Sequence, residues 1–159
     1  MNIIFLGTSG VHHALIAANV YLKNPVADFN SLTDFANRDL ESSGFPIYVG
    51  QDKEGNRVYS MGAGSDVDMA KKSIEDLRDV LGYSTHDLVV KPVSVKGEKL
   101  LTLLNHIPAS MGGSLWHRLI PALILKSQLK AIYQNINMKI EIDNNDSLSY
   151  IDCIRYYLV

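Results

Sequence analysis

The sequence predicts a three-layer α/β domain with a mostly parallel β-sheet, one β-hairpin, and glycine loops of the P-loop-like or Rossmann-like kind. Short apolar runs alternate with segments of helical periodicity, which is the pattern of a parallel sheet covered by helices. Glycine-rich stretches precede several helical segments, and strand-to-helix loops are where such sheets bind ligands. The length of 159 residues, without a low-complexity linker, predicts one domain over residues 1–159, with a C-terminal helical tail at 146–159.

The first strand and the first helix follow from local periodicity. An apolar run at 2–6 predicts the strand, and Val11, Leu15, Ala18 and Leu22 then recur at helical spacing. The helix that they form carries no charged residue, so we expect more than one of its faces to be covered.

The later segments alternate in the same way. The prediction is a short helix at 31–40 capped by Ser31, hairpin strands at 45–49 and 57–61, an amphipathic helix at 65–81 capped by Ser65, a strand at 87–95, a helix at 97–105, a buried strand at 119–125, and helices at 129–140 and 147–158. Gly55 and Asn56 supply the positive φ that a hairpin connection needs. Pro92 indicates that its strand is distorted or lies at an edge of the sheet.

Composition and charge exclude several classes of protein. With 47% apolar residues and a net charge of −2, the chain is not disordered, a disulfide scaffold or a coiled coil. Polar and glycine residues interrupt the uncharged stretches, and nothing basic precedes the short N-terminal apolar run, so neither a membrane span nor a signal peptide is predicted. We therefore expect a cytoplasmic location and no membrane partner. Cys153, the single cysteine, agrees with a reducing compartment.

Basic residues concentrate in one part of the sequence. Residues 88–139 carry seven lysines and arginines and one acid, whereas residues 28–87 carry twelve acids and six bases. The basic part could face a phosphorylated small molecule, while a nucleic acid polymer normally needs a more basic domain. The alternative is a solvated face that balances the acidic half.

Gly7, Thr8, Ser9 and Gly10 form a glycine loop that opens the first helix. Its backbone N–H groups and the helix dipole would make an anion-binding concavity, which a phosphate can approach closely because glycine has no side chain. The loop is too short for a Walker A motif and is not the Gly-x-Gly-x-x-Gly fingerprint. A tight strand-to-helix turn without a ligand is the alternative.

His12 and His13 lie in the first turn of that helix, where the dipole favours the neutral imidazole. Either could donate a hydrogen bond to a phosphate oxygen or act as an acid/base, and the alternative is a structural cap or a buried histidine. Consecutive helical residues point about 100° apart, so the two are not expected to grip one ligand together. The five histidines lack the spacing of a metal site, so we expect neither a metal nor a cofactor.

The remaining candidate ligand-binding residues belong to two further glycine loops and to a predicted strand end. They are, in chain order, Gly62, Gly64, Ser65, Gly112, Gly113, Arg118 and Lys126. The glycine loop at residues 62–65 opens a helix and could hydrogen-bond a hydroxyl group or a ribose of the ligand, although Ser65 also serves as a helix cap. Arg118 could bind phosphate bidentately, and Lys126 follows the predicted buried strand at its carboxyl end.

Residues 50–65 carry, in order, the pairs and triplets Gly-x-Asp, Gly-Asn, Val-Tyr and Gly-x-Gly. This pattern resembles a small family of uncharacterised proteins, found mainly in spore-forming Gram-positive bacteria, and the similarity covers about residues 2–140. His12 stands where that family has a histidine after its glycines, whereas His13 and Ala14 replace small hydroxyl residues. The resemblance implies the fold and the choice of loops, and it implies no activity.

The sequence favours a protein that binds a nucleotide or another phosphorylated small molecule and senses or sequesters it without catalysis. This hypothesis rests on the glycine loops and the basic stretch, and on the lack of a recognisable combination of catalytic residues in the sequence. A phosphate-ester hydrolase or transferase with His12 as acid/base is the first alternative. A protein-interaction module is the second, and the apolar, aromatic tail at 146–159 would suit a homo-oligomer.

Overall fold

The computed structural model describes residues 1–24, 26, 29, 32–95, 120–127, 129 and 132. Within these residues the chain forms one β-sheet with helices packed against it. The elements are, in chain order, β1 (Asn2–Gly7), α1 (His13–Tyr21), α2 (Arg38–Ser43), β2 (Ile47–Gln51), β3 (Arg57–Gly62), α3 (Val67–Val80) and β4 (Leu88–Pro92). A further helical segment covers residues 120–127.

The sheet has four strands in the order β2-β3-β1-β4, so β1 lies inside it. β1 pairs in parallel with both β3 and β4, whereas β2 and β3 form an antiparallel hairpin. The predicted mostly parallel sheet and its hairpin are therefore confirmed. Among the described strands β4 lies at an edge, and Pro92 is its last residue, where a missing N–H interrupts no ladder inside the sheet.

β1 and α1 form the centre of the core. Residues 3–6 are all buried, as expected of an inner parallel strand that is covered on both faces. Residues 13–20 of α1 are also all buried, which fits the absence of charge in this helix. Ile3 and Phe5 belong to the same apolar cluster as Leu15 of α1. The connection between β1 and α1 is thus held at both ends by the most deeply buried part of the structure.

The parallel strands end in register at one edge of the sheet. Gly7 at the end of β1 pairs with Gly62 at the end of β3, and Leu6 pairs with Pro92 at the end of β4. Strand-to-helix connections at the carboxyl ends of parallel strands are the usual place for a ligand. The connection from β1 to α1 and the connection from β3 to α3 therefore emerge side by side.

The short helix predicted at 31–40 lies further along the chain than expected. Residues 32–36 form turns, and α2 begins at Arg38. Ala36 has a φ of 59°, which no residue inside a right-handed helix adopts, and it breaks the predicted helix. Asn37 is the N-cap, because its side chain accepts hydrogen bonds from the amides of Asp39 and Leu40 at 3.1 and 3.3 Å.

Two other expectations need correction. The N-cap of α3 is Asp66 and not Ser65, and the Asp66 side chain makes no capping hydrogen bond to the described residues. The buried strand predicted at 119–125 is wrong, because residues 120–127 are helical. A short apolar run does not by itself distinguish a strand from a helix, and Pro121 is accepted in a first helical turn. Lys126 is exposed on this helix, so it does not follow a strand.

Several predicted features lie outside the described residues. These are the helices at 97–105 and 147–158, the glycines Gly112 and Gly113, Arg118, the capping residue Ser31 and the tail at 146–159. Within the part of the chain that the structure describes, no helix is both long and apolar enough to cross a membrane.

Candidate functional site

The connection from β1 to α1, residues 8–12, is called the first loop below, and the connection from β3 to α3, residues 63–66, the second loop. The amide of Ala63 donates to the carbonyl of Gly7 at 2.8 Å, which continues the pairing of β1 and β3 into the loops. A Cβ added to Gly10 would lie 2.7 Å from the backbone nitrogen of Gly62, and the converse distance is also 2.7 Å. Only glycine allows the two backbones to come this close.

A side-chain carboxylate accepts hydrogen bonds from backbone amides of the first loop. Oε2 of Glu41, on α2, accepts hydrogen bonds from the amides of Gly10 at 2.9 Å and Val11 at 3.1 Å. The Ser9 hydroxyl lies beside this carboxylate and favours its ionised form. A Cβ at Gly62 would lie 3.0 Å from Oε1, so the same carboxylate also borders the end of β3. The first loop therefore provides an oxyanion-binding concavity, and within the described structure its occupant is Glu41.

Burial and hydrogen bonding act on Glu41 in opposite directions. Burial raises the pKa of its carboxyl, and the hydrogen bonds from Ser9, Val11 and Gly10 lower it in part. The net result is a pKa above the ordinary value for glutamate. The loop thus stabilises an anion with two backbone amides and a neighbouring hydroxyl group, but the protein also excludes the water that would otherwise solvate it.

Ser9 and His12 form a buried pair beside the carboxylate. The Ser9 hydroxyl oxygen lies 2.7 Å from Nδ1 of His12, and the two residues are 1% and 2% exposed. A serine has one proton to donate, and an ionised carboxylate can only accept. When Ser9 donates to ionised Glu41, the hydrogen on the Ser9–His12 contact therefore comes from Nδ1 of His12. In this arrangement His12 is not a base toward Ser9.

His13 supports the first loop from within the core. Its Nε2 accepts a hydrogen bond from the amide of Thr8 at 3.1 Å, so the neutral ring carries its proton on Nδ1. Burial, with a smaller contribution from neighbouring His12, lowers the pKa of His13 to about 3. The imidazole is consequently neutral at physiological pH, and its visible role is to fix the position of the loop backbone.

Residues 32–43 lie over the first loop and are called the cover segment. The ring of Phe35 meets the His12 ring edge-on, with 5.5 Å between the centroids. The amide of Ala36 donates to the carbonyl of Val11 at 3.2 Å. Together with Glu41, these contacts enclose the loop, which explains why Ser9 and His12 are almost completely buried.

One side-chain oxygen of the first loop lacks a hydrogen bond. Oγ1 of Thr8 is buried and has no hydrogen-bond partner among the described residues, and the same is true of Oγ of Ser60 on β3. A buried hydroxyl without a partner costs free energy, so such groups call for an explanation. Thr8 belongs to the loop that holds the Glu41 carboxylate, and its hydroxyl is available to a further polar group.

The structure brings together one part of the predicted site. Gly7, Thr8, Ser9, Gly10, His12 and His13 form the first loop and its support, with Gly62 beside them. Gly64 and Ser65 are exposed in the second loop, and Gly64 adopts a φ of 62°. Lys126 is exposed and helical, while Gly112, Gly113 and Arg118 lie outside the described residues.

Sequence reasoning missed Glu41 and Phe35. Glu41 lies 31 residues from Gly10 in the chain, on a short helix rich in polar residues. An acidic residue in such a segment is expected to be exposed to solvent. No local pattern points from α2 to the first loop.

Among the described residues, no cluster of three or more His, Cys, Asp or Glu side chains has the arrangement of a metal site.

These features define an α/β protein with an enclosed oxyanion-binding loop between its first strand and its first helix. The chain matches the family model described as "Protein of unknown function (DUF3189)" over residues 2–139, and it belongs to this family. Neither a curated protein nor a solved structure matches the chain.

Proposed function

We propose that the protein binds a nucleotide or another phosphorylated small molecule at the first loop, and that it senses or sequesters this ligand without catalysis. The observation that carries the proposal is the carboxylate of Glu41 on the amides of Gly10 and Val11. Backbone amides at a helix N-terminus bind phosphate for the same reason that they bind a carboxylate: both are oxyanions, and the helix dipole favours negative charge there.

The loop offers a phosphate group more donors than the two amides. The Ser9 hydroxyl lies beside the carboxylate of Glu41, and the Thr8 hydroxyl has no partner within the described residues. A phosphate has more acceptor oxygens than a carboxylate and can therefore use these hydroxyl groups in addition to the amides. The same proposal includes the finer part of the predicted fold: three layers of secondary structure, with a glycine loop that binds phosphate as P-loop-like or Rossmann-like loops do.

The rest of the ligand would extend toward the second loop. Gly62 borders the Glu41 carboxylate, and Gly64 and Ser65 continue from it to the exposed surface. Glycine at these positions leaves room for a sugar or a base beside the phosphate. In this proposal Arg118 or Lys126 neutralises remaining charge on the ligand, as the basic stretch of the sequence suggests.

The direct test is a titration followed by NMR. Nucleotides, sugar phosphates and inorganic phosphate are added to ¹⁵N-labelled protein, and the amide signals of Gly10 and Val11 are monitored. We expect a phosphorylated ligand to shift these two signals at low concentration, and Ser9→Ala to weaken its binding about tenfold, the loss of one hydrogen bond to a charged group. Ser73→Ala, on the exposed face of α3, is the matched control. Unchanged loop signals with every ligand would contradict the proposal.

A phosphate-ester hydrolase or transferase is a second candidate, and the 2.7 Å contact between Ser9 and His12 favours it. If Glu41 left the loop, the Ser9 proton would be free to point at Nδ1 of His12, which is the arrangement of a nucleophile and its base. His12→Ala should then abolish turnover while ligand binding survives. Chromatography of the bound ligand, before and after incubation, separates a binder that returns it intact from an enzyme that releases a product.

A further inference from the structure

We infer that the cover segment is autoinhibitory: the Glu41 carboxylate stands in for the anionic group of the ligand and must leave the first loop before that group can bind. This inference rests on the proposed function, because it concerns the regulation of the same loop. Under this inference the described structure is the closed conformation, in which Glu41 is bound to the first loop.

The cover segment and an external anion compete for the same atoms. Each backbone N–H donates one strong hydrogen bond, and those of Gly10 and Val11 are both engaged by Oε2 of Glu41. Phe35 and Ala36 close the loop from the same side, through the His12 ring and the Val11 carbonyl. A phosphate therefore has no place on these amides while the cover segment stays in position.

The part of the cover segment that carries Glu41 is lightly held. α2 has six residues, all of them described, and none is buried. It is anchored by the Glu41 carboxylate, by the preceding Phe35, which is 4% exposed, and by the amide of Ala36, which donates to the Val11 carbonyl. A helix without buried residues gains little from hydrophobic packing, so the hydrogen bonds of Glu41 account for much of its attachment.

The ends of the helix are suited to a hinge movement. Ala36 has a φ of 59° just before α2, and Gly44 has a φ of 68° just after it. A left-handed conformation is strained for alanine, and a return to a right-handed conformation relieves that strain. Hinges are typically a few residues at the ends of an element that absorb changes in φ and ψ.

The burial of Glu41 also favours release. Burial raises the pKa of the carboxyl, which means that the ionised form loses hydration when it enters the loop. On leaving, the carboxylate regains water, and a phosphate with more charge and more acceptor oxygens takes its place. The affinity measured for a ligand is then reduced by the fraction of molecules that are closed, and any partner that holds α2 open raises it.

The test uses inorganic phosphate as the probe and the full chain. Its affinity is measured from the amide shifts of Gly10 and Val11 in the wild type, in Glu41→Ala, and in Glu54→Ala as the matched control on the exposed hairpin turn. We expect Glu41→Ala to bind phosphate about tenfold more tightly than the wild type, and Glu54→Ala to behave as the wild type. Dispersion of the remaining amide signals shows that each variant is folded.

The outcomes separate this inference from the proposed function. Equal affinity of the wild type and Glu41→Ala for phosphate at the loop would overturn the autoinhibition and leave the proposed function standing. Absence of phosphate binding in all three proteins would overturn the autoinhibition, and absence of binding by every nucleotide and sugar phosphate as well would overturn the proposed function.

A second variant keeps the test decisive if Glu41→Ala does not fold. Asn37→Ala retains Glu41 but removes the side-chain oxygen that caps α2, which weakens the helix that positions the carboxylate. Phosphate should bind this variant more tightly than the wild type as well. An unchanged or weaker affinity in Asn37→Ala would count against an autoinhibitory cover.

Discussion

The imidazole of His13 fills the space beside Gly7 at the end of β1. A Cβ built on Gly7 would collide with Nε2 of His13, the atom that accepts the Thr8 amide, and would also lie 2.7 Å from Cδ2 of the same ring. The ring is fully buried, and close packing of protein interiors leaves little room for it to shift. Gly7 is thus required by a side chain six positions later, in addition to its place in the strand.

Gly7→Ala should destabilise the protein by about 1–3 kcal/mol, because the added methyl group must displace a buried ring and the hydrogen bond that it accepts. Urea denaturation followed by circular dichroism measures this change. Gly50→Ala is the control: its Cβ would lie 2.8 Å from Cδ1 of Leu22, the end of a side chain that can rotate. A Gly7→Ala protein as stable as the wild type would show that the His13 ring is not fixed.

His13 should make the protein less stable in acid. Its pKa is lowered to about 3 in the folded state against an ordinary 6.5, so between these values the unfolded chain binds a proton that the folded chain does not. The free energy of unfolding is therefore not reduced by His13 above pH 6.5. It falls as the pH decreases toward 3, and protonation of this one group lowers it by at most about 1.4 kcal/mol per pH unit. The free energy of unfolding, measured by urea denaturation from pH 7.5 to 4.5, gives the slope.

His13→Asn should reduce that slope, since the variant has no imidazole to protonate on unfolding. His86→Asn, which changes an exposed histidine, should keep the slope of the wild type. An imidazole signal of His13 that titrates near pH 6.5 in the folded protein would contradict the prediction.

The tautomer of His12 should depend on Glu41. While ionised Glu41 accepts the Ser9 proton, Nδ1 of His12 must supply the hydrogen of the 2.7 Å contact, so we expect the hydrogen on Nδ1 in the wild type. In Glu41→Ala, Ser9 can donate to Nδ1, and the hydrogen should move to Nε2. Two-bond ¹H–¹⁵N correlation spectra of the histidine rings distinguish the two tautomers, and the same tautomer in both proteins would refute the assignment.

Asp52 should stabilise the hairpin between β2 and β3. Its carboxylate accepts hydrogen bonds from the amides of Glu54 and Asn56 at 2.9 and 2.8 Å, and from the Tyr21 hydroxyl on α1 at 3.0 Å. Partial burial raises the pKa of Asp52, but the hydrogen bonds, led by those of Asn56, outweigh this and hold it below its usual value. The stabilisation is therefore present above the ordinary pKa of aspartate and is lost as the pH falls through the lowered one.

Asp52→Asn should cost about 1–2 kcal/mol at pH 7, the loss expected when hydrogen bonds to a charged acceptor become bonds to a neutral one. The measurement is again urea denaturation, with Asp76→Asn on the exposed side of α3 as control. The two variants should differ less at acid pH, where Asp52 is protonated, and equal stability at pH 7 would contradict the prediction.

Local patterns predicted the elements that local forces decide. β1, the hairpin and α3 were found because their apolar spacing and turn residues lie within a few positions of one another. The helix predicted at 31–40 failed because Asn37 is a better cap than the sequence pattern suggested and because Ala36 adopts a left-handed conformation. The strand predicted at 119–125 failed because its short apolar run has no period that distinguishes a strand from a helix.

The candidate site divides along the same line. The first loop was identified from Gly7 and Gly10, because these glycines and the histidines that follow them lie within seven consecutive residues. Glu41 could not be identified, because its contact with Gly10 spans 31 residues and depends on where α2 packs. The second loop was found beside the first only through the register of Gly7 and Gly62, which a sequence without known strand order does not contain.

The order of the strands has a consequence for synthesis on the ribosome. β1 is translated first, yet its two neighbours, β3 and β4, are translated about 50 and 80 residues later. Until then the apolar residues 3–6 have no partner in the sheet, and they remain open to chaperones or to aggregation. The first loop cannot reach its final shape before β3 has emerged, because the backbone of Gly62 forms one of its walls.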